Sequence, residues 1–257
     1  MGRGDGMRRF RSFDDTVIAY LDEGAGPAVL LLHGFAADHR ANWVAPGVVD
    51  ALVSSGRRVI AADARGHGAS EKPTDPARYA GAAMVDDARA LLDHLAITDV
   101  DVVGYSMGSM VASRLVPREP RARSLVLGGV GDRAAQGPPP ANGARVAAAL
   151  LTDDPATITD PLGRDFRRFA DRMGADRRAL AAIQQAPSRR QPRTFPDITV
   201  PTLVLIGDRD VLVGSPQQLA SRIPGATVRI VSGNHITAVS APAFRGAIVE
   251  FLDGLPA

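Results

Sequence analysis

Apolar positions along the chain fall into short continuous runs separated by stretches of helical period. Ala28–Leu32 (AVLLL) is wholly apolar, as expected of a strand covered on both faces. Arg58–Ala62, Val100–Val103, Ser124–Leu127, Thr202–Ile206 and Val228–Val231 repeat that pattern. The clearest helical segment is Tyr79–Leu95, where Met84, Ala88, Leu91 and Leu95 recur at steps of four, three and four. Further helices are predicted over Trp43–Val53, Met107–Leu115, Pro216–Arg222 and Ala243–Leu252. Strands alternating with crossover helices specify an α/β domain with one mostly parallel sheet. Two earlier strands, Arg8–Phe13 and Thr16–Leu21, turn at Asp14 and Asp15 and predict an antiparallel edge.

One segment breaks the rhythm. From Asp132 to Ile198 there is no strand candidate, and the segment opens with a predicted loop, GPPPANG (Gly137–Gly143). Asp160 can cap a helix that begins at Pro161, carries Leu162, Phe166, Phe169 and Met173 on one stripe, and stops at Gly174. Asp176 can cap another helix through Gln185, and the Pro-rich stretch Ala186–Pro201 returns the chain to the sheet. The organisation expected is an α/β core from residues 1–131 and 199–257, with a small helical insertion at 132–198.

Composition narrows the chemistry. The 257 residues contain no cysteine, which excludes disulfides, thiolate metal sites and a cysteine nucleophile. Lys+Arg and Asp+Glu number 30 and 28, and Lys72 is the only lysine, so arginine sets the sequence pI near 9.5 although the net charge is only +2. That small imbalance points to no nucleic-acid partner. No apolar run reaches the ~18–20 residues of a membrane-spanning helix, and the start, MGRGDGMRRFRS, has no apolar stretch behind its charges. No membrane association and a cytoplasmic location are therefore expected. The Arg3-Gly4-Asp5 tripeptide reads as chance in a tail.

The central chemical signal is Gly104-Tyr105-Ser106-Met107-Gly108, placed where an apolar strand runs into a helical segment. A nucleophile elbow requires that context, because the serine must stand on a sharp turn with its hydroxyl exposed. A serine hydroxyl needs a base. His235, in the loop after the last strand, sits at the strand edge where open α/β sheets bind ligands. Asp210 ends the preceding strand and is assigned to orient that imidazole, with Asp208 as the alternative. The order Ser106, Asp210, His235 is the one this architecture uses. The backbone N–H groups of Met107 and Phe35 are the expected donors to a tetrahedral oxyanion. His33 is expected to brace its loop, His39 to lie at the surface, and His94 to serve a helix end. Trp43, Tyr105, Phe166 and Phe169 are candidate substrate-pocket residues, Trp43 being equally open to a role as helix anchor. No His/Asp/Glu spacing suggests a metal, and Gly24-Ala25-Gly26 does not continue into a dinucleotide fingerprint.

HGF (His33–Phe35), DARGHGAS (Asp63–Ser70), GYSMG (Gly104–Gly108), GDRD (Gly207–Asp210) and GNH (Gly233–His235) together resemble the landmark motifs of the α/β-hydrolase superfamily, in the family's order. The resemblance implies an eight-stranded sheet whose second strand is antiparallel, a helical cap inserted after the sixth strand, and a structural role for His67. Ser109 departs from it, standing where many relatives have glycine, and a serine rather than an aspartate nucleophile disfavours cleavage of carbon–halogen bonds or epoxides through an alkyl-enzyme ester. The function expected is a serine hydrolase acting on a small or medium carboxylic ester, without a cofactor. A carbon–carbon bond hydrolase, a lactonase and a cofactor-free perhydrolase would use the same residues, and a ligand-sensing receptor on this scaffold is the non-enzyme alternative. The eleven arginines between Arg133 and Arg193 fit either an anionic substrate or, as expected here, a solvated helix surface.

Overall fold

In the computed structural model, residues 6–136, 140–187 and 195–255 are described. The Arg3–Asp5 tripeptide, residues 137–139 of the predicted loop, and residues 188–194 of the second Pro-rich stretch, with Arg189, Arg190 and Arg193, lie outside them.

The strands are β1 (Arg8–Arg11), β2 (Val17–Glu23), β3 (Ala28–Leu32), β4 (Arg58–Ala62), β5 (Val100–Tyr105), β6 (Ala122–Gly128), β7 (Thr202–Gly207) and β8 (Thr227–Val231). They form one eight-stranded sheet in the order β1-β2-β4-β3-β5-β6-β7-β8. β2 runs antiparallel to both neighbours, and every other pairing is parallel. The helices are α1 (Val48–Ser54), α2 (Ala83–His94), α3 (Met107–Leu115), α4 (Arg133–Gln136), α5 (Pro140–Leu151), α6 (Pro161–Met173), α7 (Arg177–Gln185), α8 (Pro216–Ala220) and α9 (Pro242–Asp253).

Alternation along each strand sends neighbouring residues to opposite faces. Leu30, Leu32, Ile60, Val102 and Val204 join a core with Leu91 and Leu92 of α2 and Leu115 of α3. Val29, Leu31, Val59, Val103 and Leu205 join another with Leu52 of α1 and with Phe244 and Ile248 of α9. Each such side chain, fully buried, contributes about 1.5–3 kcal/mol, so the sheet is the rigid base on which the loops at its carboxyl edge are held.

Three predicted spans are corrected. The helix expected at Trp43–Val53 is split into a π-turn at Arg40–Val44 and α1, because Pro46 has no N–H to give and Gly47 takes a left-handed φ of 75°. The Tyr79–Leu95 helix starts only at Ala83, after a 3-10 turn at Pro76–Tyr79 and a left-handed Gly81 (φ 67°). Residues 140–143 of the predicted GPPPANG loop open helix α5, for a proline tolerates the first helical position.

Helices α4 to α7 fill the interval between β6 and β7. Asp160 caps α6 by accepting the Gly163 amide at 2.6 Å, and Gly174 closes it at φ 61°. Asp176 caps α7 through the Arg178 and Ala179 amides. Val146, Leu150, Ala170 and Leu180 form a separate apolar cluster that reaches Ala36 and Phe35 on the loop after β3. Several of the arginines here are occupied with structure. Arg167 and Arg177 donate to carbonyls at the end of α5, and Arg145 pairs with Asp160. Among the described residues, no helix is long and apolar enough to cross a membrane.

Candidate active site

The loops after β3, β4, β5, β7 and β8 all leave the same edge of the sheet, since those strands run parallel. Ser106 stands between β5 and α3 with φ 51° and ψ −110°, outside the regions comfortable for a side-chain-bearing residue. Such a conformation costs about 1–3 kcal/mol and persists because its surroundings enforce it. A Cβ on Gly104 would lie 2.5 Å from the Ser109 nitrogen, and one on Gly108 would collide with the Leu32 carbonyl. Only glycines let strand, turn and helix approach so closely. The Gly128 carbonyl accepts both the Ser106 amide at 2.8 Å and the Ser109 hydroxyl at 2.7 Å. Ser109 thus pins the turn to the end of β6, a role its position in the sequence did not reveal.

His235 Nε2 lies 3.0 Å from Ser106 Oγ, and His235 Nδ1 lies 2.7 Å from Asp210 Oδ2. With Nδ1 donating to the carboxylate, Nε2 is left as the ring's acceptor, facing the serine hydroxyl. The Asp210 side chain is 0% exposed and the His235 side chain 18%, so the pair is shielded while the imidazole remains reachable. Asp208, by contrast, is 52% exposed and pairs with Arg209; its Oδ1 accepts the Gly233 amide at 2.8 Å. It is Asp210, not Asp208, that is brought to the imidazole.

The loop bearing His33–Phe35 passes directly over the serine. A Cβ on Gly34 would be 3.5 Å from the Ser106 Cβ, so the backbone of this loop lies against the serine. Asn42, which sequence patterns did not single out, and His33, expected to brace its loop, both hold it. Asn42 Oδ1 accepts the Gly34 amide at 2.9 Å. His33 donates from Nδ1 to the Gly34 carbonyl and accepts the Ala64 amide at Nε2, so both ring nitrogens are used by the neutral form. Burial pushes its pKa down accordingly.

His39 is a correction. It is buried, and both its amide and Nδ1 donate to Asp63 Oδ1, at 2.8 and 2.9 Å. Burial opposes its charge, yet the Asp63 carboxylate, by hydrogen bond and by charge, holds the pKa above the ordinary histidine value. Burial likewise opposes ionisation of Asp63, but His39, His33 and the Ala69 amide bring it down to about 2. His67 is buried and pushed down to about 3, first by burial and then by His33, and its Nδ1 donates to the Arg65 carbonyl. His94 stacks on Phe10 at 5.1 Å between ring centroids.

The four pocket candidates separate. Trp43 is 0% exposed and packs within the α1/α9 core, so it is the anchor and not a pocket wall. Tyr105 is also buried, its hydroxyl donating to the His235 carbonyl at 2.6 Å. Phe166 meets Phe35 edge-on at 5.6 Å, and Phe169 belongs to the same cluster, so α6 packs against the loop over Ser106.

The sequence profile of the alpha/beta hydrolase fold matches residues 27–164, more than half of the chain. The protein is an α/β hydrolase. A 109-residue stretch is 41% identical to a 2-hydroxymuconate semialdehyde hydrolase from Pseudomonas sp. strain CF600, covering 42% of this chain and 38% of that protein. The match therefore spans about two-fifths of that relative's length. Over the whole fold, this α/β hydrolase superposes on a hydrolase from Pseudomonas aeruginosa PA01 with TM-score 0.77 and 28% identity, covering 98% and 100% of the two chains. It superposes on a bromoperoxidase from Bacillus anthracis with TM-score 0.75 and 25% identity, covering 96% and 100%.

Proposed function

We propose that this α/β hydrolase cleaves a small or medium carboxylic ester through an acyl-enzyme formed on Ser106. The observation that carries the reading is the unbroken chain from Ser106 Oγ through His235 to Asp210, with contacts of 3.0 and 2.7 Å. Ser106 Oγ attacks the ester carbonyl carbon while His235 Nε2 takes its proton. Asp210 stays a carboxylate, keeps the imidazole in the Nδ1–H form and stabilises the imidazolium. The Met107 and Phe35 amides receive the oxyanion, each donor contributing about 3–4 kcal/mol to the transition state. As the tetrahedral adduct collapses, the imidazolium gives its proton to the departing alkoxide. Water, deprotonated by the same nitrogen, then releases the acid and restores the serine. Residues 132–198 act as a cap whose helix α6, through Phe166 and Phe169, borders the acyl site.

A fluorophosphonate probe tests this directly. The expected result is stoichiometric labelling of the Ser106 peptide, lost in Ser106→Ala, with turnover of p-nitrophenyl acyl esters that depends on chain length. Undiminished turnover by purified Ser106→Ala overturns the assignment. A second reading, perhydrolysis, has support in the likeness to the bromoperoxidase. Peroxide-dependent halogenation in the presence of acetate, abolished by the same substitution, would favour it.

A further inference from the structure

Tyr105 directly precedes Ser106 at the last position of β5, and its buried ring is held on two sides. A Cβ on Gly128 would lie 2.8 Å from the ring and one on Gly129 2.9 Å, so the ring presses against bare backbone at the end of β6. Phe244 of α9 meets it edge-on, 5.7 Å between centroids. A ring gripped this way keeps one rotamer, and its hydroxyl is fixed with it. That hydroxyl donates the 2.6 Å hydrogen bond to the His235 carbonyl, while the imidazole lies 5.7 Å from the ring centroid, tilted by 36°.

Apart from the contacts of the imidazole itself with Asp210 and Ser106, the bonds described for the loop after β8 do not tie the His235 backbone to β5. Asn234 Oδ1 accepts from the Ile236 and Thr237 amides and the Thr237 hydroxyl, which shapes the loop from within. Gly233 is tied to Asp208 and Arg209, on the strand that carries the acid. The bond from Tyr105 crosses to the strand that carries the nucleophile.

We propose that Tyr105 is a positioning residue, a rigid strut from the neighbour of the nucleophile to the backbone of the base, which sets the separation of Ser106 Oγ and His235 Nε2. The assignment rests on the serine-hydrolase reading above. Burial, and then the Asp210 charge, raise the phenol's pKa above its ordinary value, so the hydroxyl remains a donor throughout the neutral range. Proton transfer needs a heavy-atom reach of about 2.6–3.2 Å, and the observed 3.0 Å leaves little slack.

Tyr105→Phe in the full chain removes the strut's single polar contact and keeps its ring. With turnover of p-nitrophenyl acetate counted per phosphonate-titrated site, kcat is expected to fall about tenfold, since a displacement of 1 Å can cost about a hundredfold. KM is expected to stay within about twofold, because no substrate contact is lost. The proton NMR resonance of His235 Nδ1–H is expected to shift or broaden, which a general loss of stability in the folded population would not produce. Phe244→Leu keeps the hydroxyl but loosens the ring's support, and is expected to lower kcat by about threefold. Wild-type kcat in both variants overturns the proposal, as does a raised KM with unchanged kcat in Tyr105→Phe, which would make the tyrosine a substrate contact. Turnover retained by Ser106→Ala is a separate result on a separate variant, and removes the underlying reading instead.

Discussion

Replacing Asp63 by asparagine asks how much one fully buried carboxylate contributes to holding the loop over Ser106. Its side chain is 0% exposed and accepts three hydrogen bonds, two at Oδ1 from His39 and one at Oδ2 from the Ala69 amide at 2.8 Å. An asparagine keeps one acceptor oxygen and turns an NH2 group toward the remaining donor. That leaves a buried N–H unsatisfied, at about 1–3 kcal/mol, and weakens the surviving bonds by removing the charge. Proton linkage gives a second route to the magnitude. A pKa lowered from 3.8 to about 2, at about 1.4 kcal/mol per pH unit, is worth about 2.5 kcal/mol. Both routes lead to an expected loss of about 3 kcal/mol near neutral pH. The pH dependence has a definite sign. Asp63 has a depressed pKa, so its contribution is full above 3.8 and disappears as pH falls through about 2. His39 has a raised pKa, so its contribution is full below 6.5 and disappears as pH rises through the raised value. The stability gap between wild type and Asp63→Asn is therefore widest between about pH 4 and 6.5 and narrows on both sides. Urea unfolding followed by the fluorescence of the buried Trp43, at several pH values, measures it. A gap below about 1 kcal/mol at pH 6, or one that does not change with pH, would refute the reasoning.

Three further outcomes are expected. Ser106→Gly abolishes turnover yet stabilises the fold by about 1 kcal/mol, because glycine occupies φ 51° without strain; calorimetry decides, and a lowered Tm would contradict it. Trp43→Phe lowers stability by about 1–3 kcal/mol and leaves KM unchanged, because the indole fills the core and its Nε1 has no hydrogen-bond partner among the described residues. Arg133→Ala lowers kcat severalfold with a small change in Tm. Its guanidinium holds the Val211 and Leu212 carbonyls at 3.0 Å, the Leu212 amide bonds Asp210 Oδ1 at 3.2 Å, and the unclamped loop lets the acid drift. Unaltered kcat would show that the clamp does not reach the carboxylate.

What could be read without coordinates followed from local physics. A fully covered strand must be apolar throughout, so AVLLL and its counterparts marked the parallel sheet, and alternation with helical periodicity implied the crossover topology. Caps are equally local. Asp160 and Asp176 stand where the structure has them accept amides at the starts of α6 and α7, because a carboxylate one residue before a helix meets free N–H groups wherever the helix lies. Glycines and prolines blur such patterns, and the spans that needed correction are those containing Pro46, Gly47, Gly81 and Pro140.

Residue types and their order along the chain determined the family and nominated Ser106, Asp210 and His235, since each stands at the end of an apolar strand and parallel strands share a carboxyl edge. Tertiary structure alone decided between Asp208 and Asp210, two residues apart, because which carboxylate turns inward depends on how the loop after β7 is anchored. It also drew Trp43 into the core, buried His39 against Asp63, and joined Tyr105 to His235 across 130 positions. Those outcomes depend on contacts between segments far apart in sequence, and periodicity carries information only about neighbours.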